Sequence, residues 1–71
     1  MGNNLTKRQR QILDFITEFT RDNDYAPSLR EIGDHFNLSS PATIHAHVQA
    51  LEQKRLLKTS FNQARSIEII P

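Results

Sequence analysis

Apolar residues early in the chain fall at Ile12, Phe15, Ile16 and Phe19, spaced i, i+3, i+4 and i+7, with Leu13 at the margin. This is the single stripe of an amphipathic helix, which turns by about 100° per residue. The helix is expected over 7–21. Thr6 and Gln9 have the spacing of a capping box, in which two side chains and two free backbone N–H groups satisfy each other, and the polar run Asp22-Asn23-Asp24 closes the helix. Tyr25-Ala26-Pro27 reads as extended, because a residue before proline is pushed out of helical geometry. A second helix opens at Ser28, with Glu31 as its capping-box partner, and turns Leu29, Ile32 and Phe36 inward. It must end at Asn37, a residue type that tolerates the left-handed conformation common at helix ends. Ser40 is the expected N-cap of a third helix over 41–54, and Pro41 follows at the first helical position, where its missing N–H costs nothing. On that helix Ile44, Val48 and Leu51 lie on one side, Ala42, Ala46, Gln49 and Gln53 lie opposite, and Thr43 and His45 take the flanks.

After Arg55 the apolar period shortens. The β-favouring segments 56–60 and 65–70 are separated by Phe61-Asn62-Gln63-Ala64, which predicts an antiparallel hairpin. In its second strand Ile67 and Ile69 alternate with Ser66, Glu68 and Ile70, so one face packs on the helices. Two capped helices around a very tight turn are the signature of a helix-turn-helix, and the hairpin makes it winged. The expected fold class is mostly α with a small β-hairpin: a winged helix-turn-helix of three helices plus a two-stranded antiparallel wing. It spans residues 5–70, and the polar residues 1–4 form a disordered N-terminus.

The chain has 71 residues, 37% of them hydrophobic, which suits one small domain. The absence of cysteine excludes a disulfide framework and a thiolate metal site. No apolar run approaches the roughly 20 residues that span a bilayer. Met1-Gly2 with Thr6 matches a myristoylation motif only as short motifs match by accident. The net charge of +1 is small for a nucleic-acid binder, but its distribution is uneven. Carboxylates gather at Asp14, Glu18, Asp22 and Asp24, whereas Lys7, Arg8 and Arg10 precede them, Lys54, Arg55 and Lys58 follow the third helix, and Arg65 stands late in the chain.

A short helix after a tight helical turn is the element that enters a DNA major groove. The expected DNA-binding residues are Ser39, Ser40, Ala42, Thr43, His45, Ala46 and Gln49, with Lys54 after the helix and Arg65 at the edge of the wing's turn. His47 lies toward the apolar side and reads as a boundary histidine with a hydrogen-bonded ring. His45 and His47, two apart, do not share a helix face, so no metal site is expected of them, and no cofactor is expected either.

The ordered set Leu5-Thr6-Lys7-Arg8-Gln9, Ile12-Leu13-Asp14-Phe15-Ile16, Tyr25-Ala26-Pro27-Ser28-Leu29-Arg30-Glu31-Ile32-Gly33, Ser39-Ser40-Pro41-Ala42-Thr43-Ile44-His45-Ala46-His47-Val48, Ala50-Leu51-Glu52 and Arg65-Ser66-Ile67-Glu68-Ile69 resembles the N-terminal DNA-binding domain of LexA-type SOS repressors. The likeness runs over 5–70. Ser40-x-x-Thr43-x-His45-x-His47 resembles the Gram-positive type of recognition helix more than the enterobacterial one. The resemblance implies a cytoplasmic bacterial transcriptional repressor of the SOS response to DNA damage, two copies of which read a palindromic operator in double-stranded DNA. By matching positions, Ser40, Ala42, Thr43, His45 and Ala46 would meet that DNA; the helix face itself adds Gln49. Family members commonly carry Gly where Asn37 and Arg55 stand. Full repressors also carry a self-cleaving Ser/Lys peptidase domain that dimerises. Its absence here implies a non-enzymatic chain, weakly dimeric or monomeric in isolation, and either an excised domain (the preferred reading) or a free-standing relative. The alternative function is a winged-helix protein-interaction module, or a non-cleavable regulator that partners a larger protein.

Overall fold

The computed structural model describes residues 5–59 and 67–70. Within them the expected elements follow in order: α1 (Lys7–Asn23), α2 (Leu29–Phe36), α3 (Pro41–Gln53), β1 (Leu57–Thr59) and β2 (Ile67–Ile69). Both capping boxes form. The Gln9 N–H donates to Thr6 Oγ1 at 3.1 Å while the Thr6 N–H donates to Gln9 Oε1 at 3.2 Å. At α2 the Glu31 N–H donates to Ser28 Oγ at 3.1 Å and the Ser28 N–H to Glu31 Oε1 at 2.9 Å.

The structure shifts two boundaries. Helix α1 continues to Asn23, because Asp24 is the residue that turns left-handed, at φ 65°, and its N–H closes on the Thr20 carbonyl at 2.9 Å. The polar triplet therefore ends the helix at its last member. At the end of the hairpin away from its turn, Leu56 and Ile70 fall outside the strands expected to include them, although the Ile70 N–H donates to the Leu56 carbonyl at 3.1 Å and extends the pairing by one step. The expected turn at 61–64, the strand positions Ser60, Arg65 and Ser66, and the N-terminal residues 1–4 lie outside the described residues.

Ile12 and Ile16 of α1, Ile32 of α2, Ile44, Val48 and Leu51 of α3, and Leu57 and Ile67 of the hairpin form one core, joined by Ala26 from the connector. No polar or charged residue is buried among those described. Phe15 and Phe19 stay half-buried: Phe19 meets Tyr25 of the connector edge-on at 5.7 Å, and Phe15 serves the seam between α1 and α2. There Phe15 stacks on His35 with centroids 4.1 Å apart, meets Phe36 edge-on at 5.7 Å, and Arg8 lies 5.3 Å above the Phe36 ring. Such contacts add to area burial without a dry environment.

Two helix ends share one solution. Asn37 and Arg55 both adopt positive φ, at 57° and 62°. After α2 the Asn37 N–H donates to the Asp34 carbonyl and the Leu38 N–H to the Gly33 carbonyl; after α3 the Arg55 N–H donates to Glu52 and the Leu56 N–H to Leu51. These paired bonds define a Schellman ending, whose left-handed residue is usually glycine. Asn pays little strain in that region, whereas Arg has no local hydrogen bond to offset the Cβ clash. Arg55→Gly is therefore expected to stabilise the domain by about 1 kcal/mol, read as a raised denaturant midpoint at unchanged slope. A lowered midpoint would show that the Arg55 side chain makes a compensating contact.

Candidate nucleic-acid interface

The turn between α2 and α3 is tight because nothing but backbone stands at Gly33. A Cβ there would lie 2.5 Å from Ile44 Cδ1 and 3.1 Å from the Leu38 carbonyl oxygen. The missing side chain lets α3 come close against α2, and Leu38 tucks half-buried beneath the turn. Ser39 and Ser40 are left exposed at the mouth of α3.

Ser40 occupies the N-cap position, but its hydroxyl makes no capping bond. The expectation of a hydroxyl cap is thus corrected. The Ser40 carbonyl already accepts from the N–H groups of Thr43, at 3.2 Å, and Ile44, at 3.4 Å, so the donor that a capping hydroxyl would take is engaged.

Along α3 the two faces separate as the period predicted. Ile44, Val48 and Leu51 are at most 4% exposed, whereas Ala42, Thr43, His45, Ala46 and Gln49 all face solvent. Seven of the nine expected contact residues, Ser39, Ser40, Ala42, Thr43, His45, Ala46 and Gln49, thus sit exposed on α3 and the turn that leads into it. Lys54, just past the helix, is half-buried, and Arg65 lies outside the described residues. His47 is half-buried as expected, but its ring has no hydrogen-bond partner among the described residues.

Two features escaped the reading by periodicity. From His35 to Leu51 the chain contains no carboxylate, so the exposed face of α3 is neutral over these residues, and the one carboxylate of the helix, Glu52, is half-buried in its last turn. The composition alone could have revealed this. Arg30, exposed on α2, lines a groove of about 350 Å³ with Asp34, Ser39 and Pro41, which brings a cation beside the start of α3. Elsewhere the charges pair locally on the surface: Arg10 with Asp14 at 3.7 Å, Arg21 with Asp22 at 3.6 Å and Lys58 with Glu68 at 4.0 Å. Exposed pairs of this kind contribute little to stability. Among the described residues no cluster of His, Cys, Asp or Glu is placed to hold a metal ion, and no helix is long and apolar enough to cross a membrane.

Three helices, a tight turn between the second and third, and a hairpin behind an exposed neutral helix face define a winged helix-turn-helix of the DNA-binding class. Residues 2–66 match the LexA DNA binding domain family, and the chain belongs to that family. It is 50% identical over 66 residues to a LexA repressor of Koribacter versatilis (strain Ellin345), covering 93% of this chain and 31% of that protein. Identity is 45% over 67 residues to a LexA repressor of Petrotoga mobilis (strain DSM 10674 / SJ95), covering 94% and 32%, and 44% over 66 residues to one of Thermosipho africanus (strain TCF52B), covering 93% and 33%. The chain thus spans about a third of the length of these relatives. The expectations of a winged fold and of a LexA-type DNA-binding domain are borne out.

Proposed function

We propose that this domain reads double-stranded DNA by seating α3 in the major groove, as the operator-binding part of a cytoplasmic transcriptional repressor of the LexA type, with a recognition helix of the Gram-positive kind. The observation that carries this reading is the neutral, exposed face of α3 opposite a fully buried one, in a chain of the LexA DNA-binding family. Thr43 and His45 are the polar readers of base edges, while Ala42 and Ala46 are small enough for close approach and suited to a thymine methyl group. Ser39, Ser40 and Gln49 take phosphate or sugar contacts that fix the register. Lys54, Arg65 and, beside the turn, Arg30 supply positive charge to the backbone. The domain acts by binding alone, and two copies meet the two halves of a palindromic operator.

The test compares a duplex selected from a random-sequence pool with its scrambled counterpart at fixed salt. His45→Ala is expected to lose about 1–3 kcal/mol of discrimination between the two, the magnitude of one good base contact. Lys54→Ala is expected to weaken both duplexes about equally and to lower the salt slope by roughly 1. Equal losses on both duplexes for His45→Ala would assign that residue to phosphate and leave Thr43 and Ser40 as the readers.

A further inference from the structure

One carboxylate joins the recognition helix to the hairpin. Glu52, in the last turn of α3, accepts from both donors of Thr59 in β1: the backbone N–H at 3.2 Å through Oε2, and the hydroxyl at 3.2 Å through Oε1 and 3.3 Å through Oε2. The strand register explains why that N–H is available. Leu57 faces Ile69 and Thr59 faces Ile67, while the Ile70 N–H is bonded to the Leu56 carbonyl. Hydrogen-bonded and non-hydrogen-bonded pairs alternate in an antiparallel ladder, so Thr59 falls on a non-bonded pair and its N–H points away from β2. Glu52 thus occupies an open strand edge.

Glutamate is an unfavourable choice at this position on local grounds. It lies at the negative end of the α3 dipole, where no basic residue occupies the last turn, and it belongs to the element that approaches a polyanion. Its contacts to Thr59 supply the reason for it. Leu57 and Ile67 anchor the hairpin by burial, a non-directional force, whereas a carboxylate that accepts two donors from one residue fixes direction. Beside Thr59 lies the exposed Lys58, which pairs across the strands with Glu68 at 4.0 Å.

We infer that Glu52 is a positioning residue: by holding the Thr59 edge of β1 to the end of α3, it presents hairpin and recognition helix to DNA as one rigid unit. The inference rests on the DNA-binding reading above. Its test must separate the clasp from the charge, because removing a carboxylate near DNA by itself strengthens binding. Glu52→Ala and Glu52→Gln remove the same charge, but only Gln keeps an acceptor oxygen; Thr59→Val leaves the charge untouched. Melting curves and amide hydrogen exchange at residue 59 are read on the free domain, and affinities over a salt series on the selected and scrambled duplexes.

Glu52→Ala is expected to bind both duplexes about three- to tenfold more weakly than Glu52→Gln, the effect of one or two displaced phosphate contacts, with discrimination between duplexes kept. Thr59→Val should fall below the unaltered domain in the same way, and exchange at residue 59 should quicken in Glu52→Ala. Equal affinities of the two Glu52 variants, or unaltered binding by Thr59→Val, would overturn the inference. If Glu52→Ala does not fold, Thr59→Val decides alone by the same criterion. Failure of the unaltered domain to bind any duplex would overturn the DNA reading and this inference together, whereas fast exchange at Thr59 in the unaltered domain would overturn the clasp alone.

Discussion

Ile44→Asp is expected to unfold the domain. Ile44 is 4% exposed, and its Cδ1 fills the space that Gly33 leaves open between α2 and α3. Among the described residues no cation is buried, so a carboxylate there would have no charged partner inside the core. Burying an unpaired charge, together with the lost apolar contact, costs upward of about 5 kcal/mol. The total stability of 71 residues is on the order of 4–10 kcal/mol. Circular dichroism should therefore show a largely unfolded chain at 25 °C, and no cooperative melt. The adjacent Thr43 is exposed, so Thr43→Ala should melt within a few degrees of the parent, roughly the effect of a 0.5 kcal/mol surface change, while it weakens binding to the selected duplex. A markedly lowered melting temperature for Thr43→Ala would show that the face assignment of α3 is wrong.

The second large effect concerns copy number. One domain offers one helix to one groove, and its expected backbone cations are few. Joining two copies by a flexible linker that spans two half-sites makes the second contact intramolecular, and affinity for the palindrome is expected to rise about 10²- to 10⁴-fold over the single domain without any new contact. Spacing supplies the control: separating the half-sites by half a helical turn, about 5 base pairs, moves the second groove to the opposite side of the duplex and should abolish the gain. A single domain that binds one half-site as tightly as the full palindrome would contradict the two-copy reading.

Much of this architecture is legible in the sequence because the signals are local. The capping boxes Thr6/Gln9 and Ser28/Glu31 depend on residues three apart, and both form. The Ile44, Val48, Leu51 stripe follows from helical period alone, and with it the exposure of Ala42, Thr43, His45, Ala46 and Gln49. Local signals were ambiguous where several residues could play one part. Any of Asp22, Asn23 and Asp24 is able to stop α1, and the choice of Asp24 rests on which one turns left-handed. Ser40 has the composition of a cap, yet a backbone carbonyl claims the donor first.

What sequence could not show is contact across elements. The need for glycine at position 33 is a distance to Ile44 on another helix, and the stacking of Phe15 on His35 joins α1 to α2. Glu52 and Thr59 are seven residues apart, but the chain leaves a helix and enters a strand between them, so no single period relates the two. Arg30 reaches the start of α3 only because the turn folds α2 back beside it.

The central claim, that α3 reads duplex DNA, is tested most directly by a salt series on the folded domain with the duplex enriched from a random pool. A plot of log affinity against log salt should be linear and steeply falling, with a slope near −0.9 for each phosphate engaged, and at every salt concentration the enriched duplex should bind more tightly than its scrambled form. A domain that melts cooperatively yet enriches no sequence and shows no duplex affinity even at low salt would contradict the account and favour a winged helix that binds protein instead.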